Sequence, residues 1–113
     1  MTNDKDKLRD AYYYLFAGRD RWLKYNMATL EDGTDCRPND PNACRFCALG
    51  ALVRACAGDF QEAGRIGQIV LSHSKTGRVR PGGLAGEIVR WNDRKDTKYI
   101  DVLSAFSDAM ASA

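Results

Sequence analysis

The chain has 113 residues, which predicts one small domain spanning residues 1–113. Apolar residues make up 44% and charged residues 28%, a composition that argues against a disordered chain. The net charge of +2 is too small to indicate a nucleic-acid or membrane partner by itself. The longest apolar run, 46–53, is far shorter than a membrane span, and residues 1–7 lack the apolar core of a secretion signal. We therefore expect a cytoplasmic protein with no membrane contact.

The apolar spacing predicts a mainly α fold of about five short helices. The first covers about 4–17, where apolar residues recur every three or four positions and Gly18 follows as a stop signal. Residues 21–37 lose this period, and their Asp32-Gly33 turn signal predicts a small β-hairpin or an extended loop.

The second helix is predicted at about 41–57, with Asp40 as its cap and Pro41 at its first position. It is apolar on nearly all sides, so we expect it at the centre of the bundle. Gly50, within it, would allow a neighbouring backbone to approach closely.

Three further helices are predicted after this central one. Asp59 is expected to cap a helix that begins at Phe60 and ends near Ser72. A polar, glycine-rich loop or second short hairpin follows at 72–83, then a brief helix at 84–91. The last helix is predicted at about 97–110. Its expected buried stripe contains Tyr99, Ile100, Leu103, Phe106 and Met110.

Four cysteines, Cys36, Cys44, Cys47 and Cys56, raise the questions of disulfides and metal binding. In a cytoplasmic protein we expect free thiols, with Cys44 and Cys56 as small buried side chains. On one helix Cys47 and Cys56 would be too far apart for a common zinc ion. A metal site made of Cys36, Cys44 and Cys47 stays open as an alternative. Otherwise no metal and no cofactor is predicted.

A catalytic alternative is built on Cys47. A cysteine near a helix N-terminus has a lowered thiol pKa, and His73 with Asn92 or Asp93 would supply a base and an orienting group. The alternative interpretation is structural, because cysteines in apolar helices usually pack and because Asn and Asp cap helices and form turns.

Two groups of residues are candidates for binding. Tyr13 and Tyr14 fall away from the apolar stripe of the first helix, so they are predicted to contact another protein or the 21–37 segment. Lys75, Arg78 and Arg80 form a basic loop that could hold phosphate groups. A solvated polar loop with no ligand is the alternative for these three residues.

The chain resembles a family of small uncharacterised proteins from bacteria and their phages. The matching pieces are Trp22, the Asp32-Gly33 turn, the Cys-Ala-Leu-Gly-Ala-Leu run at 47–52 and the Trp-Asn-Asp run at 91–93. The resemblance implies no mechanism, but it implies that Cys47, Asn92 and Asp93 lie together.

From these observations we predict a small non-enzymatic accessory protein that binds a host protein or nucleoprotein complex. Its size fits an inhibitor of a defence system carried by a phage or mobile element. Two alternatives stay open: a thiol-dependent enzyme that uses Cys47, and a nucleic-acid-binding protein that uses the basic 75–80 loop.

Overall fold

A computed structural model describes residues 3–16, 21–75 and 86–113. These residues form five helices and one two-stranded antiparallel sheet, which confirms the predicted mainly α fold with a small β element. In chain order the elements are α1 (Asp4–Phe16), β1 (Ala28–Thr29), β2 (Arg45–Phe46), α2 (Ala48–Ala55), α3 (Phe60–Ser72), α4 (Gly86–Asp93) and α5 (Tyr99–Ser112). None of these helices has the length and apolar character that crossing a bilayer requires.

Helix α2 is the central helix, as predicted. Residues 48–53 are all buried, and the helix packs against α1, α3 and α4. The apolar faces of α1 and α5 complete the core: Leu8, Leu15 and Phe106 are fully buried. A helix that is apolar on all sides gains most free energy when neighbours cover every side, which explains its position.

The predicted start of α2 is wrong. Asp40 and Pro41 do not begin the helix; the Asp40 side chain instead accepts a hydrogen bond from the amide of Asn42 (2.8 Å) in a turn. Residues 45 and 46 form β2, so the helix begins at Ala48 with Cys47 as its N-cap. Pairing with β1 occupies the backbone that a longer helix would have used.

The small sheet joins two loops. Ala28 lies opposite Phe46 and Thr29 opposite Arg45, while the other side of Thr29 faces Asp35. A turn at 30–34 includes Gly33, whose φ of 90° favours glycine. The predicted turn at Asp32-Gly33 is therefore present. The two strands of the sheet, however, are β1 and β2, and β2 lies much later in the chain than the turn.

The remaining helices follow the predictions closely. Asp59 caps α3 through a hydrogen bond from the amide of Glu62 (3.1 Å). Helix α5 lies about two residues later than predicted, and α4 ends two residues later than predicted. The predicted start of α4 at residue 84 and most of the predicted 72–83 loop or hairpin lie outside the described residues. Ile100, expected in the buried stripe of the last helix, is 63% exposed, and Phe60 is 50% exposed. Phe60 is the first residue of its helix, and Ile100 points away from the face that buries Val102 and Phe106.

Candidate functional site

The motifs meet where residues 21–29, called here the 21–29 segment, cross the start of α2. Backbone hydrogen bonds join this segment to the chain before the helix: Leu23 N donates to Phe46 O (3.1 Å), and Cys47 N donates to Met27 O (3.1 Å). Neither stretch is helical, so these bonds satisfy backbone groups that lie close to the core.

Asn92 is the centre of this junction and is completely buried. Its Oδ1 accepts hydrogen bonds from Trp22 Nε1 (2.7 Å) and Ala48 N (2.9 Å). Its Nδ2 donates to Leu23 O (3.0 Å) and to an oxygen of Asp93 (3.0 Å). A side-chain amide has two acceptor positions and two donor hydrogens, so the bonding capacity of Asn92 is fully used.

Asp93 holds the next part of the same segment. Its Oδ1 accepts a hydrogen bond from Tyr25 N (2.8 Å). Tyr25 has a φ of 76°, in the left-handed region that bulky residues rarely adopt, and its side chain is 76% exposed. The Asn92–Asp93 pair therefore fixes a strained backbone conformation that directs an aromatic ring into solvent.

Gly50 allows the 21–29 segment to lie directly on α2. A Cβ atom at this position would be 1.9 Å from the carbonyl oxygen of Met27, which no side chain could tolerate. The predicted close backbone approach is confirmed, and the approaching residue is Met27.

Aromatic packing covers the outside of the junction. The Trp22 ring lies 5.9 Å from the Tyr99 ring, centroid to centroid, and the Tyr99 hydroxyl donates to Leu15 O (2.7 Å). Lys24 Nζ lies 5.5 Å from the Trp22 ring centroid and donates to Arg94 O. Burial raises the pKa of the Tyr99 hydroxyl, which favours its neutral donor form.

Cys47 is beside this junction but is not placed as a nucleophile. Its side chain is 2% exposed, and its Sγ accepts a hydrogen bond from Gly50 N (3.3 Å) as the cap of α2. Burial raises the pKa of the Cys47 thiol to about 11, and the charge of nearby Asp93 adds to the increase. The helix amides lower this pKa, as the sequence predicted, but burial has the larger effect. The enzymatic alternative needs an exposed thiol with a lowered pKa.

His73 lies in a different place, as the C-cap of α3. It lines a groove of about 550 Å³ between α1, α3 and α5, whose other lining residues include Leu8, Ile69 and Ala109. A smaller polar cleft of about 70 Å³ also includes His73, together with Lys75 and Asp108. Cys47 lines neither space. The structure thus brings Cys47, Asn92 and Asp93 together, as the resemblance implied, and places His73 elsewhere.

The cysteines are all free thiols. Within the described residues, no three metal-binding side chains are arranged to hold an ion, so the alternative set of Cys36, Cys44 and Cys47 is not brought together. Cys36 N donates to Ala28 O (3.2 Å) and Cys44 N donates to Thr29 O (3.0 Å). The two thiols are half-buried, and burial followed by the charge of Asp40 raises the pKa of Cys36.

The residues predicted to bind a partner have different environments. Tyr13 is 66% exposed on α1. Tyr14 instead packs against Phe46, with 5.5 Å between ring centroids, and the Arg54 guanidinium lies 5.7 Å from its ring. Tyr14 thus packs on β2 and α2 of its own chain and not on the predicted 21–37 segment. Lys75 is exposed, whereas Arg78 and Arg80 lie outside the described residues.

Sequence reasoning missed Tyr25. Its exposure and backbone conformation depend on Asp93, 68 residues later, and the local sequence contains no glycine or turn signal to indicate a left-handed residue. The Trp-Asn-Asp motif was a usable signal, because a tryptophan and two hydrogen-bonding residues after a short apolar stripe need partners elsewhere.

Fold and contacts together define a small helical protein in which a non-helical segment is joined to the start of the central helix by backbone hydrogen bonds and by one buried asparagine. The chain belongs to DUF6197, a family of unknown function whose match covers residues 1–112. No curated protein and no solved structure matches it. The resemblance to an uncharacterised family is therefore confirmed, and the function has to be argued from the site itself.

Proposed function

We propose that this protein acts by binding a host protein or nucleoprotein complex and not by catalysing a reaction, with the surface around Tyr25 as a principal contact. Its size suits an accessory factor of this kind, such as an inhibitor that a phage or mobile element would carry. The left-handed, exposed Tyr25 is the observation that carries the proposal.

The polar groups of the motifs are used inside the protein. All four hydrogen-bonding positions of Asn92 are occupied by protein atoms. The Cys47 thiol is buried, and its raised pKa keeps it protonated at neutral pH. A nucleophile must be ionised and accessible to its substrate, and an orienting amide must have a free position. The contacts of Asn92 and Cys47 therefore support an architectural role for both residues.

The conformation of Tyr25 supports a role at the surface. A left-handed backbone costs about 1–2 kcal/mol for a residue with a side chain. Such strain persists when surrounding contacts fix it, and it concentrates at sites that bind or react. Here Asp93 and Asn92 fix the backbone, while the ring is 76% exposed and adds little to the core. Tyrosine is enriched at binding surfaces because it combines a large apolar area with a polar hydroxyl.

The test is partner capture with matched variants. The tagged protein is incubated with host lysate, with and without nuclease, and retained proteins are quantified by mass spectrometry. Tyr25→Asn removes the ring but keeps a residue that tolerates the left-handed region. Phe60→Ala removes another exposed ring, at the start of α3, and is the control. Tyr13→Ala tests the second exposed tyrosine.

We expect a stoichiometric partner that Phe60→Ala retains and Tyr25→Asn loses. A partner retained equally by both variants would contradict the role of Tyr25. The proposal that the protein does not catalyse a reaction is tested separately, by measuring the rate at which iodoacetamide modifies Cys47 in the folded protein. Modification should require unfolding, and rapid reaction of the native thiol would revive the enzymatic alternative.

A further inference from the structure

The structure joins two basic segments that are far apart in sequence. Residues 21–26 and 90–98 contain six basic residues and two acidic ones, a local excess larger than the net charge of the whole chain. The segments meet where Lys24 Nζ donates to Arg94 O and where Tyr25 N donates to Asp93. By contrast, residues 31–42 contain four acidic residues and one basic. The small total charge hides this uneven distribution.

We define the Tyr25 surface as the exposed residues of the two basic segments. They are Tyr25, Asn26, Arg90, Arg94, Lys95, Asp96 and Lys98. Both acidic residues of these segments already have partners: Asp93 bonds to Tyr25 N and Asn92, and Asp96 pairs with Arg94 at 3.2 Å. The C-terminus of α4 explains a preference for Arg90 and Arg94 there, but not the exposed aromatic side chain of Tyr25, whose backbone bonds to Asp93.

We infer that the Tyr25 surface binds single-stranded nucleic acid, with a base stacked on the Tyr25 ring and phosphates contacting the surrounding cations. This inference rests on the proposed binding function and selects the second of its two partners, a nucleoprotein complex, whose single-stranded nucleic acid is the part that the Tyr25 surface contacts. Single-strand binders combine basic side chains, which follow the phosphate backbone, with exposed aromatic rings, which accept any base.

Two other occupants fit the surface less well. A duplex keeps its bases stacked inside the helix, where a tyrosine on a surface loop does not reach them. A protein interface needs an apolar centre inside a polar rim. Lys24 and Asn26 flank Tyr25 in the chain, Asp93 bonds to its backbone and Arg94 bonds to Lys24, and all four residues are polar or charged.

The experiment measures fluorescence anisotropy of labelled oligothymidylate and oligouridylate of about 20 nucleotides, a length that exceeds typical site sizes. A duplex of matched length and poly-glutamate are the competing probes. Titrations at about 50 mM and about 200 mM salt give the slope of log Kd against log salt. Lys95→Gln removes one charge from the surface, and Lys5→Gln removes one exposed charge from α1 as the control.

We expect the single strands to bind more tightly than the duplex, and Tyr25→Asn to weaken binding at least about fivefold. Lys95→Gln should reduce the salt slope by about 0.7, the contribution of one phosphate contact on a single strand, and Lys5→Gln should leave the slope unchanged. Equal binding of duplex and single strand, or a Tyr25→Asn variant with full affinity, would overturn the inference.

One result separates this inference from the function on which it rests. If poly-glutamate binds in a Tyr25-dependent way and the single strands do not, the nucleic-acid inference is overturned and binding to an acidic protein surface takes its place. If partner capture from lysate also shows no dependence on Tyr25, the proposed function fails as well.

Discussion

Helix α1 and the 21–29 segment cover the same core by different means. Helix α1 inserts Leu8, Ala11 and Leu15, all fully buried, and is held by apolar packing. The 21–29 segment is held by directed hydrogen bonds that converge on Asn92. The free energy gained by apolar packing is proportional to the buried area, so it tolerates small changes. A buried polar group without its partner, by contrast, costs its full desolvation energy. The segment should therefore be the more sensitive of the two to single substitutions.

The strongest test of this difference is Asn92→Ala. It leaves Trp22 Nε1, Ala48 N and Leu23 O without their partner, so we expect a loss of about 4 kcal/mol in the free energy of unfolding. Urea denaturation followed by circular dichroism measures it. Asn42→Ala, at an exposed asparagine, should change stability by less than about 0.5 kcal/mol. A loss below about 1 kcal/mol for Asn92→Ala would mean that packing and the backbone hydrogen bonds hold the segment without Asn92.

Gly50→Ala should have the next largest effect, a loss of about 3 kcal/mol. The new methyl group would overlap the carbonyl of Met27, and backbone cannot move aside as a side chain can. Gly67→Ala is the matched control on α3, because its methyl group would meet the Cγ2 methyl of the Ile88 side chain at 3.2 Å, a contact that a shift of a few tenths of an ångström relieves. We expect the control to be close to neutral, since alanine also improves helix propensity. Equal effects of the two substitutions in urea denaturation would refute the close approach to Met27.

The buried Cys47 thiol leads to a prediction about how stability depends on pH. Because the folded pKa of Cys47 is raised from 9.0 to about 11, the unfolded chain releases this proton first as pH increases. The contribution of the thiol to the free energy of unfolding is complete below about pH 9. It declines as the pH rises towards 11, by an amount on the order of 2 kcal/mol. Cys47→Ser keeps a helix cap that does not titrate in this range, so its stability should fall less steeply. Parallel slopes for the two proteins in urea titrations would contradict this account.

The smallest expected effect is a gain. Tyr25→Asn should raise the free energy of unfolding by about 1 kcal/mol, because asparagine tolerates the left-handed region and the backbone bond to Asp93 is kept. Thermal denaturation measures the shift. Tyr13→Asn, on the regular helix α1, should instead lose a few tenths of a kcal/mol because asparagine is the poorer helix former. A destabilised Tyr25→Asn protein would show that the ring itself supports the fold.

Local signals were sufficient for the elements whose stabilising contacts are local. The start of α1 and the capping of α3 by Asp59 followed from spacing and from one side-chain bond three residues away. Apolar residues on nearly all sides of α2 identified it as the central helix. The start of α2 could not be predicted in this way, since residues 45 and 46 adopt a strand only because β1 lies beside them.

The candidate site was partly predictable. The motifs identified Cys47, Asn92 and Asp93, but spacing could not give their roles. The roles depend on Trp22, which is 70 residues from the asparagine that its indole contacts. The same contacts use Asn92 fully, bury the thiol and leave Tyr25 exposed.

The sequence by itself determined which stretches are helical and which helix lies at the centre, because apolar periodicity and capping are properties of neighbouring residues. Tertiary structure decided where α2 begins, the direction in which the pKa of Cys47 moves, and the backbone conformation of Tyr25. It also decided where positive charge concentrates, because residues 21–26 and 90–98 are joined only by folding. Each of these properties is set by partners distant in the chain, and no local pattern encodes such partners.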